Sequence, residues 1–312
     1  MYEAFYGLRE KPFTMTPNPR YFYDSTKHKD ALSSLLYTIQ ERRGFAVITG
    51  EIGSGKTTVC RTLLGKLDQH TKIAIIRNTQ ISPKELIQMT LEDLEIPFKP
   101  GTKAKLILQL NEALIEELRR DVNIVLLIDE AQNLVPSVLE EVRMLSNLET
   151  DSEKLIQILL IGQPELWETL SMPRLRQFKQ RIAVHCHLTP LDIEETRGYV
   201  EHRLRLAGGA EGREIFAAEA IQRLHEYTHG VPRLINAVAD RALLISYVEE
   251  MPRVTPATVD EAAKDIPAIG DAEADAAEAE ALALEEQTLG SAAVSSIAQS
   301  HAHTDYRKRS HS

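Results

Sequence analysis

Five short apolar stretches alternate with longer stretches of helical periodicity through the first 190 residues. The apolar stretches cover residues 45–49, 73–76, 124–128, 156–161 and 182–188. Most are nearly continuous runs, which is typical of strands that are buried on both faces. Between them, apolar residues recur at helical spacing, as in Leu106, Leu110 and Leu114. Strands that alternate with helices predict an α/β fold, with a five-stranded parallel sheet covered by helices on both faces.

The pattern changes after Pro190, where no further strand is predicted. Asp192 and Glu195 have the spacing of a capping box, which predicts a helix that ends near Gly208. Further helical patterns cover residues 217–230, 232–248 and a short stretch from 255. These patterns predict a small all-helical domain, which would cover a ligand of the sheet domain as a lid.

The segment with the clearest chemistry follows the first predicted strand. It reads Gly-Glu-Ile-Gly-Ser-Gly-Lys-Thr-Thr and satisfies the phosphate-loop pattern G-x-x-x-x-G-K-[ST]. Glycines let backbone N–H groups turn toward a phosphate, while Lys56 carries charge to the β and γ oxygens and Thr57 can ligate Mg²⁺. A helix is expected from Thr58. The predicted phosphate-binding residues are Gly50, Glu51, Ile52, Gly53, Ser54, Gly55, Lys56, Thr57 and Thr58.

A second nucleotide motif ends the third predicted strand, where Asp129 and Glu130 follow the apolar run 124–128. Acids at the carboxyl end of such a strand lie beside a phosphate loop. Asp129 is expected to hold hydrated Mg²⁺, and Glu130 to orient and deprotonate the attacking water. The sequence therefore predicts binding and hydrolysis of a nucleoside triphosphate. Because no N-K-x-D guanine-reading motif is present, the expected cofactors are ATP and Mg²⁺.

Four parts of the chain follow from these patterns. Residues 1–44 are an N-terminal segment with the leading helix, 45–190 the phosphate-loop α/β domain, 191–267 the helical lid and 268–312 a low-complexity tail. The tail is rich in Ala, Glu and Ser, so it is expected to be disordered or loosely helical.

The composition of the chain bears on its location and on the disulfides, metal sites and nucleic-acid surfaces that it could form. The first residues lack a basic head and no apolar run approaches the length of a membrane span, so the expected location is cytoplasmic. Cys60 and Cys186 lie in apolar patterns and imply no disulfide. His185 and His187 share one face of their strand with Cys186 on the other, which disfavours a metal site. The net charge of −10 argues weakly against a large nucleic-acid surface.

Several further motifs occur in a fixed order along residues 1–265. They are Tyr6–Phe13 (Tyr-Gly-Leu-Arg-Glu-Lys-Pro-Phe), Pro17–Arg20, Leu127–Leu134 (Leu-Ile-Asp-Glu-Ala-Gln-Asn-Leu), Ser146–Thr150, Ile161–Leu166 and Gly230–Asn236. Together with the phosphate loop, they resemble the AAA+ ATPases of the general secretion pathway protein A (ExeA-type) family. The resemblance implies a P-loop NTPase (AAA+) fold with a helical lid.

The resemblance also implies roles for residues that match the family's motifs. Gln163 matches the sensor-1 position, where its amide would contact the γ-phosphate or the water. Arg233 resembles the sensor-2 arginine of the lid. Arg181 lies directly before the fifth predicted strand, where AAA+ proteins place an arginine finger for a neighbouring subunit, although Arg174 and Arg176 compete for that role. A homo-oligomer in the presence of ATP is therefore expected.

Three biological functions remain open from the sequence. The first is an ATPase that energises or organises assembly of a secretion, pilus, exopolysaccharide or other envelope complex, with peripheral attachment to the inner membrane through partners. The second is a DNA-associated transposition regulator or loader, which the acidic charge and the lack of a recognisable DNA-binding domain disfavour. The third is a nucleotide-dependent scaffold with slow turnover. Longer relatives carry a membrane span and a peptidoglycan-binding module, neither of which is found in this sequence, and fold alone does not choose among the three.

Overall fold

The computed structural model describes residues 1–151, 153–209, 213–267 and 269 of the 312-residue chain. Five strands form one parallel sheet: β1 (Phe45–Gly50), β2 (Thr71–Ile76), β3 (Asn123–Ile128), β4 (Gln157–Gly162) and β5 (Ile182–Leu188). The helices are α1 (Tyr2–Tyr6), α2 (Thr26–Gln40), α3 (Lys56–Leu64), α4 (Pro83–Asp93), α5 (Lys103–Arg119), α6 (Pro136–Leu145), α7 (Pro164–Ser171), α8 (Arg176–Lys179), α9 (Ile193–Leu206), α10 (Ala218–Thr228), α11 (Pro232–Val248) and α12 (Pro256–Lys264).

The strand order is β2-β3-β4-β1-β5, and every neighbouring pair is parallel. Alternate residues of each central strand enter different cores, as the period of two requires. Val47 and Leu126 belong to the core on one face, whereas Ile48 and Leu127 belong to the core on the other. The predicted α/β class with a five-stranded parallel sheet is confirmed.

The helix boundaries follow the local signals closely. The capping box predicted at Asp192 is present at the start of α9, and a second capping box at Ser82 begins α4; each side chain accepts from a backbone N–H three residues later. The helix after the phosphate loop begins at Lys56, not at the predicted Thr58, because Gly55 takes a left-handed conformation (φ +98°) and caps it. The sequence analysis did not predict helices α1, α7 and α8, which are short.

A third core joins the two ends of the described chain. The buried side chains of Tyr2, Tyr6, Leu8 and Phe13 pack with the apolar faces of α9 to α12. The N-terminal arm, residues 1–23, therefore begins in the lid rather than on the sheet. Ile269 is also buried in this core, and the remainder of the predicted 268–312 tail lies outside the described residues.

Candidate nucleotide site

The phosphate loop joins β1 to α3, and its backbone conformation depends on its glycines. Gly53 (φ +83°) and Gly55 (φ +98°) adopt left-handed conformations that favour glycine. A Cβ at Gly50 would lie 2.7 Å from the carbonyl oxygen of Leu188, which no side chain tolerates. The backbone can therefore approach a phosphate closely in this segment. The hydroxyl of Ser54 is buried and has no hydrogen-bond partner among the described residues.

Lys56 is the first residue of α3, and its side chain folds back over the loop. Its ammonium donates hydrogen bonds to the carbonyl oxygens of Gly50 (2.6 Å) and Glu51 (2.9 Å). Burial lowers the pKa of Lys56, while the carboxylates of Glu130 and Asp129 oppose this shift. Thr57 is exposed in the same helical turn. A buried ammonium beside the phosphate loop is a suitable partner for phosphate oxygens.

The two acids of the second motif follow β3 at the carboxyl edge of the sheet. Asp129 is half-buried, and burial raises its pKa above the ordinary value, a shift that the N–H of Glu130, donating to Asp129 Oδ1 at 3.0 Å, partly offsets. Glu130 is exposed and has a left-handed backbone (φ +52°), which is uncommon for a residue with a side chain. The carboxylate of Glu130 accepts a hydrogen bond from Gln132 Nε2 (2.7 Å).

Gln163 lies at the carboxyl end of β4 and occupies the N-cap position of α7, without a capping hydrogen bond from its side chain. Its backbone N–H donates to Gln132 Oε1 (3.1 Å), and the residue lines the same cavity as Lys56 and Glu130. The cavity thus brings together residues from three separate predicted motifs. Gln132, which links two of them, was part of a motif but was not predicted as a site residue.

The lid closes the other side of the phosphate loop. The backbone N–H of Arg233, in the first turn of α11, donates to the carbonyl oxygen of Gly53 (3.3 Å). A Cβ added to Gly53 would lie 2.6 Å from Arg233 Cβ, so the loop and the lid are in direct contact. Arg233 is exposed and lines the cavity.

The cavity has a volume of about 430 Å³ and contains a wall that the sequence did not predict. This wall is the second half of the N-terminal arm, together with α2 and the inner face of the lid. Its residues include Thr14, Met15, Thr16, Pro17, Asn18, Tyr21, Phe22, Tyr23, His28, Tyr199, Arg203 and Asn236. Two signals in the sequence lie in this wall: the motif Pro17–Arg20 and the three consecutive aromatic residues 21–23, since a cluster of rings suits a planar base.

Two buried polar groups hold this wall in place. His28 bridges Ser25 Oγ (2.7 Å) and the carbonyl oxygen of Ser54 (2.8 Å), and burial lowers its pKa. Because a carbonyl can only accept, Nε2 of His28 carries the proton. Arg203 is 4% exposed, donates to Tyr199 Oη (2.7 Å) and lies 4.8 Å from the Tyr21 ring centroid. The wall is thereby attached to the phosphate loop through α2 and to the lid through the N-terminal arm.

Arg181 lies at the opposite edge of the sheet. It immediately precedes β5, whose first residue Ile182 pairs with Phe45, whereas the phosphate loop follows Gly50. At about 3.3 Å per strand residue, the two edges are separated by about 20 Å. Arg181 is exposed and donates to Ser146 Oγ (3.2 Å). Arg174 and Arg176 are also exposed, and none of the three arginines lines the cavity of its own chain.

The paired histidines of β5 point to the same side, as predicted. Thr49 Oγ1 lies 2.8 Å from His185 Nε2 and 3.0 Å from His187 Nδ1. Among the described residues, no group of three or more His, Cys, Asp or Glu side chains could hold a metal ion. Within the same part of the chain, no helix combines the length and apolar character needed to cross a membrane.

Comparisons with known proteins agree with this geometry. The family description "AAA domain" matches residues 39–170. General secretion pathway protein A of Aeromonas hydrophila is 42% identical over 272 residues, which is 87% of this chain and 49% of that protein. The chain therefore spans about half the length of this relative.

Solved structures share the fold at low sequence identity. Cdc6p of Pyrobaculum aerophilum is 20% identical with a TM-score of 0.60, and the match covers 79% of this chain and 70% of Cdc6p. A Drosophila ORC chain, from a structure bound to DNA, is 18% identical with a TM-score of 0.61, covering 84% of this chain and 65% of the other. The chain belongs to the AAA+ family of general secretion pathway protein A (ExeA type).

Proposed function

We propose that this chain binds ATP with Mg²⁺ and hydrolyses it to ADP and phosphate. The observation that supports this most strongly is the convergence of Lys56, Glu130, Gln163 and Arg233 on one cavity. These residues come from the phosphate loop, the end of β3, the end of β4 and the lid. Coincidental placement of all four chemistries around one phosphate loop would be exceptional.

Each group has a distinct proposed role. Lys56 and the N–H groups of the loop bind the β- and γ-phosphates, and Thr57 with Asp129 would hold Mg²⁺, which neutralises phosphate charge when bound. Glu130 accepts the proton of the attacking water. Gln163 contacts the γ-phosphate or that water, and Arg233 adds a positive charge from the lid.

ATP turnover of the purified chain is the direct test. Wild type should release phosphate from ATP in the presence of Mg²⁺, and Glu130→Gln should bind ATP with similar affinity but retain only a small residual rate of phosphate release. Glu116→Gln is a matched control, because Glu116 is an exposed helical acid that forms an ion pair with Arg119. Equal turnover in wild type and Glu130→Gln would contradict the assignment of Glu130.

The proposed site is completed by a second copy of the chain. Arg181 is about 20 Å from the phosphate loop of its own chain, so it can reach a nucleotide only in a neighbour. We expect self-association when ATP is bound. Size measurements with a non-hydrolysable ATP analogue that show only monomer would contradict this part of the proposal.

The proposed biological role is the assembly or energising of a secretion, pilus or exopolysaccharide complex of the envelope. It rests on the 42% identity to general secretion pathway protein A, whose printed name refers to secretion. Replacing the chromosomal gene with the Glu130→Gln allele in the source organism should block one such system. Secretion, piliation and polysaccharide export that all stay at wild-type levels would reject this role.

One observation favours the DNA-associated alternative. Arg174, Arg176, Lys179 and Arg181 lie within eight residues, and in the described part of the chain none of them forms an ion pair with an acid. Phosphate contacts by such a cluster would make DNA affinity fall steeply with salt. We expect no tight DNA binding at physiological salt. Sub-micromolar, salt-sensitive binding by the ATP-bound chain would instead favour the transposition or loader role.

The slow-turnover scaffold is distinguished by rate. A chain that uses hydrolysis to drive assembly should reach the ordinary enzymatic range of about 1 s⁻¹ or more in its assembled state. Turnover far below this value in the assembled oligomer, combined with partner binding that depends on ATP occupancy, would favour the scaffold.

A further inference from the structure

The amide of Gln132 occupies the gap between the ends of β3 and β4. Gln132 lies in the 3-10 turn Ala131–Asn133 that follows Glu130. Its Nε2 donates to Glu130 Oε2 (2.7 Å), and its Oε1 accepts from the backbone N–H of Gln163 (3.1 Å). A single side chain therefore connects the expected general base with the strand end that carries the sensor-1 position.

The orientation of this amide is fixed by chemistry. A backbone N–H can only donate, so the oxygen of Gln132 must face Gln163. The amide nitrogen is then left to face the carboxylate of Glu130, which as an ionised acid can only accept. The reversed orientation would place two donors against each other and two acceptors against each other. The hydrogen bonds to Glu130 and Gln163 therefore fix a single orientation of the Gln132 amide.

The Glu130 carboxylate depends on this one contact. Among the described residues, the hydrogen bond from Gln132 is the only one that its carboxylate makes. The backbone of Glu130 is held by bonds to Asp129 and Asn133, but the side chain is exposed and has several rotatable bonds. An exposed glutamate without a partner would sample many rotamers, and a misplaced base costs rate steeply.

The end of β4 leaves space for the amide. A Cβ at Gly162 would lie 2.8 Å from Gln132 Oε1, so glycine is needed for the side chain to reach Gln163. Gly162 also pairs with Thr49 of β1, the strand that leads into the phosphate loop. The position of the Gln132 amide is therefore set by the same backbone that positions the phosphate loop.

We propose that Gln132 is a positioning residue. It ties the carboxylate of Glu130 to the backbone at the end of β4 and so holds this carboxylate in a fixed position relative to the phosphate loop. The proposal rests on the proposed hydrolytic function. Gln132 acts through Glu130 and not on the nucleotide, so its loss should lower kcat while ATP affinity stays unchanged. A residue that only supports the fold would lower both quantities, or neither.

Two substitutions of similar length separate the two hydrogen bonds. Gln132→Glu keeps an oxygen acceptor for the N–H of Gln163 but removes the donor to Glu130. Gln132→Met removes both. We expect kcat to fall about 10-fold or more in each variant, in line with the cost of a misplaced catalytic group. The dissociation constant for a non-hydrolysable ATP analogue should change less than 2-fold, and thermal unfolding should stay close to that of wild type.

A cycle with Glu130→Gln tests whether the two residues act together. In that background, Gln132→Met should cause no further loss of the residual rate, because the carboxylate that it positions is already gone. A kcat of Gln132→Glu equal to that of wild type would overturn the proposal. It would also be overturned if Gln132→Met lowered kcat by the same factor in the wild-type and Glu130→Gln backgrounds. Absence of turnover in the wild-type protein would instead reject the proposed hydrolytic function itself.

Discussion

The two edges of the parallel sheet have different chemistry. The carboxyl edge gathers the phosphate loop, Glu130 and Gln163 around one cavity, with Asp129 next to Glu130 at the end of β3, whereas the amino edge presents Arg181 to solvent. The first set is assembled within one chain because parallel strands end at the same edge. The second lies about 20 Å away and can complete a site only in another copy. On the proposed function, this difference would assign nucleotide binding to the single chain and full hydrolysis to the oligomer.

The largest effect is expected from the carboxyl edge. Lys56→Ala removes the buried ammonium that is held over the loop by the carbonyls of Gly50 and Glu51. ATP binding measured by calorimetry should be abolished, because the phosphate charge is no longer matched. Lys66→Ala, on the segment after α3, is the control and should bind normally. Equal ATP affinity in Lys56→Ala and wild type would refute the phosphate-loop assignment.

The amino edge is tested by mixing inactive subunits. Arg181→Ala should lower turnover by about 10³-fold or more if Arg181 stabilises the transition state in a neighbour. Mixing Arg181→Ala with Glu130→Gln should restore part of the rate, since some interfaces then combine an intact Glu130 with an intact Arg181. Arg174→Ala and Arg176→Ala serve as parallel controls. If the recovery of turnover on mixing depends on an intact Arg174 or Arg176 and not on Arg181, then that residue is the arginine finger.

The attachment of the N-terminal arm to the lid gives a stability prediction. Phe13 is 1% exposed and packs edge-on against Phe216 at 6.0 Å between ring centroids. Phe13→Ala should lower the free energy of unfolding by about 3–5 kcal/mol, as expected for a large buried ring. Met15→Ala, at a site that is 52% exposed, should change it by less than about 0.5 kcal/mol. Similar urea midpoints for the two variants would contradict the arm's role in the lid core.

The smallest effect concerns pH. Burial, with additional effects from His187 and Lys179, lowers the pKa of His185 from 6.5 to about 4. Between these values the unfolded chain binds a proton that the folded chain does not, so stability should fall as pH decreases from 6.5 toward 4. His185→Gln should weaken this dependence, measured by urea unfolding at pH 7 and pH 5. An unchanged slope would show that His185 does not contribute to it.

The sequence predicted those features of the site and the fold that depend on residues close together in the chain. The phosphate loop, the acids after β3 and the capping boxes at Ser82 and Asp192 are local patterns with local physical causes. The roles of the individual site residues and the division at residues 44, 190 and 267 remain predictions. Short helices such as α1 and α8 were not predicted, because fewer than two turns carry too little periodicity.

The sequence alone determined the fold class and the order of the motifs, and it predicted a nucleotide as the ligand, since each follows from spacing along the chain. Only the tertiary structure decided that the N-terminal arm belongs to the lid and that its aromatic residues form a wall of the cavity. It also decided that Gln132 joins Glu130 to Gln163. Contacts such as that between Tyr2 and Asp240, 238 residues apart, depend on how the elements pack, and no local pattern encodes that packing.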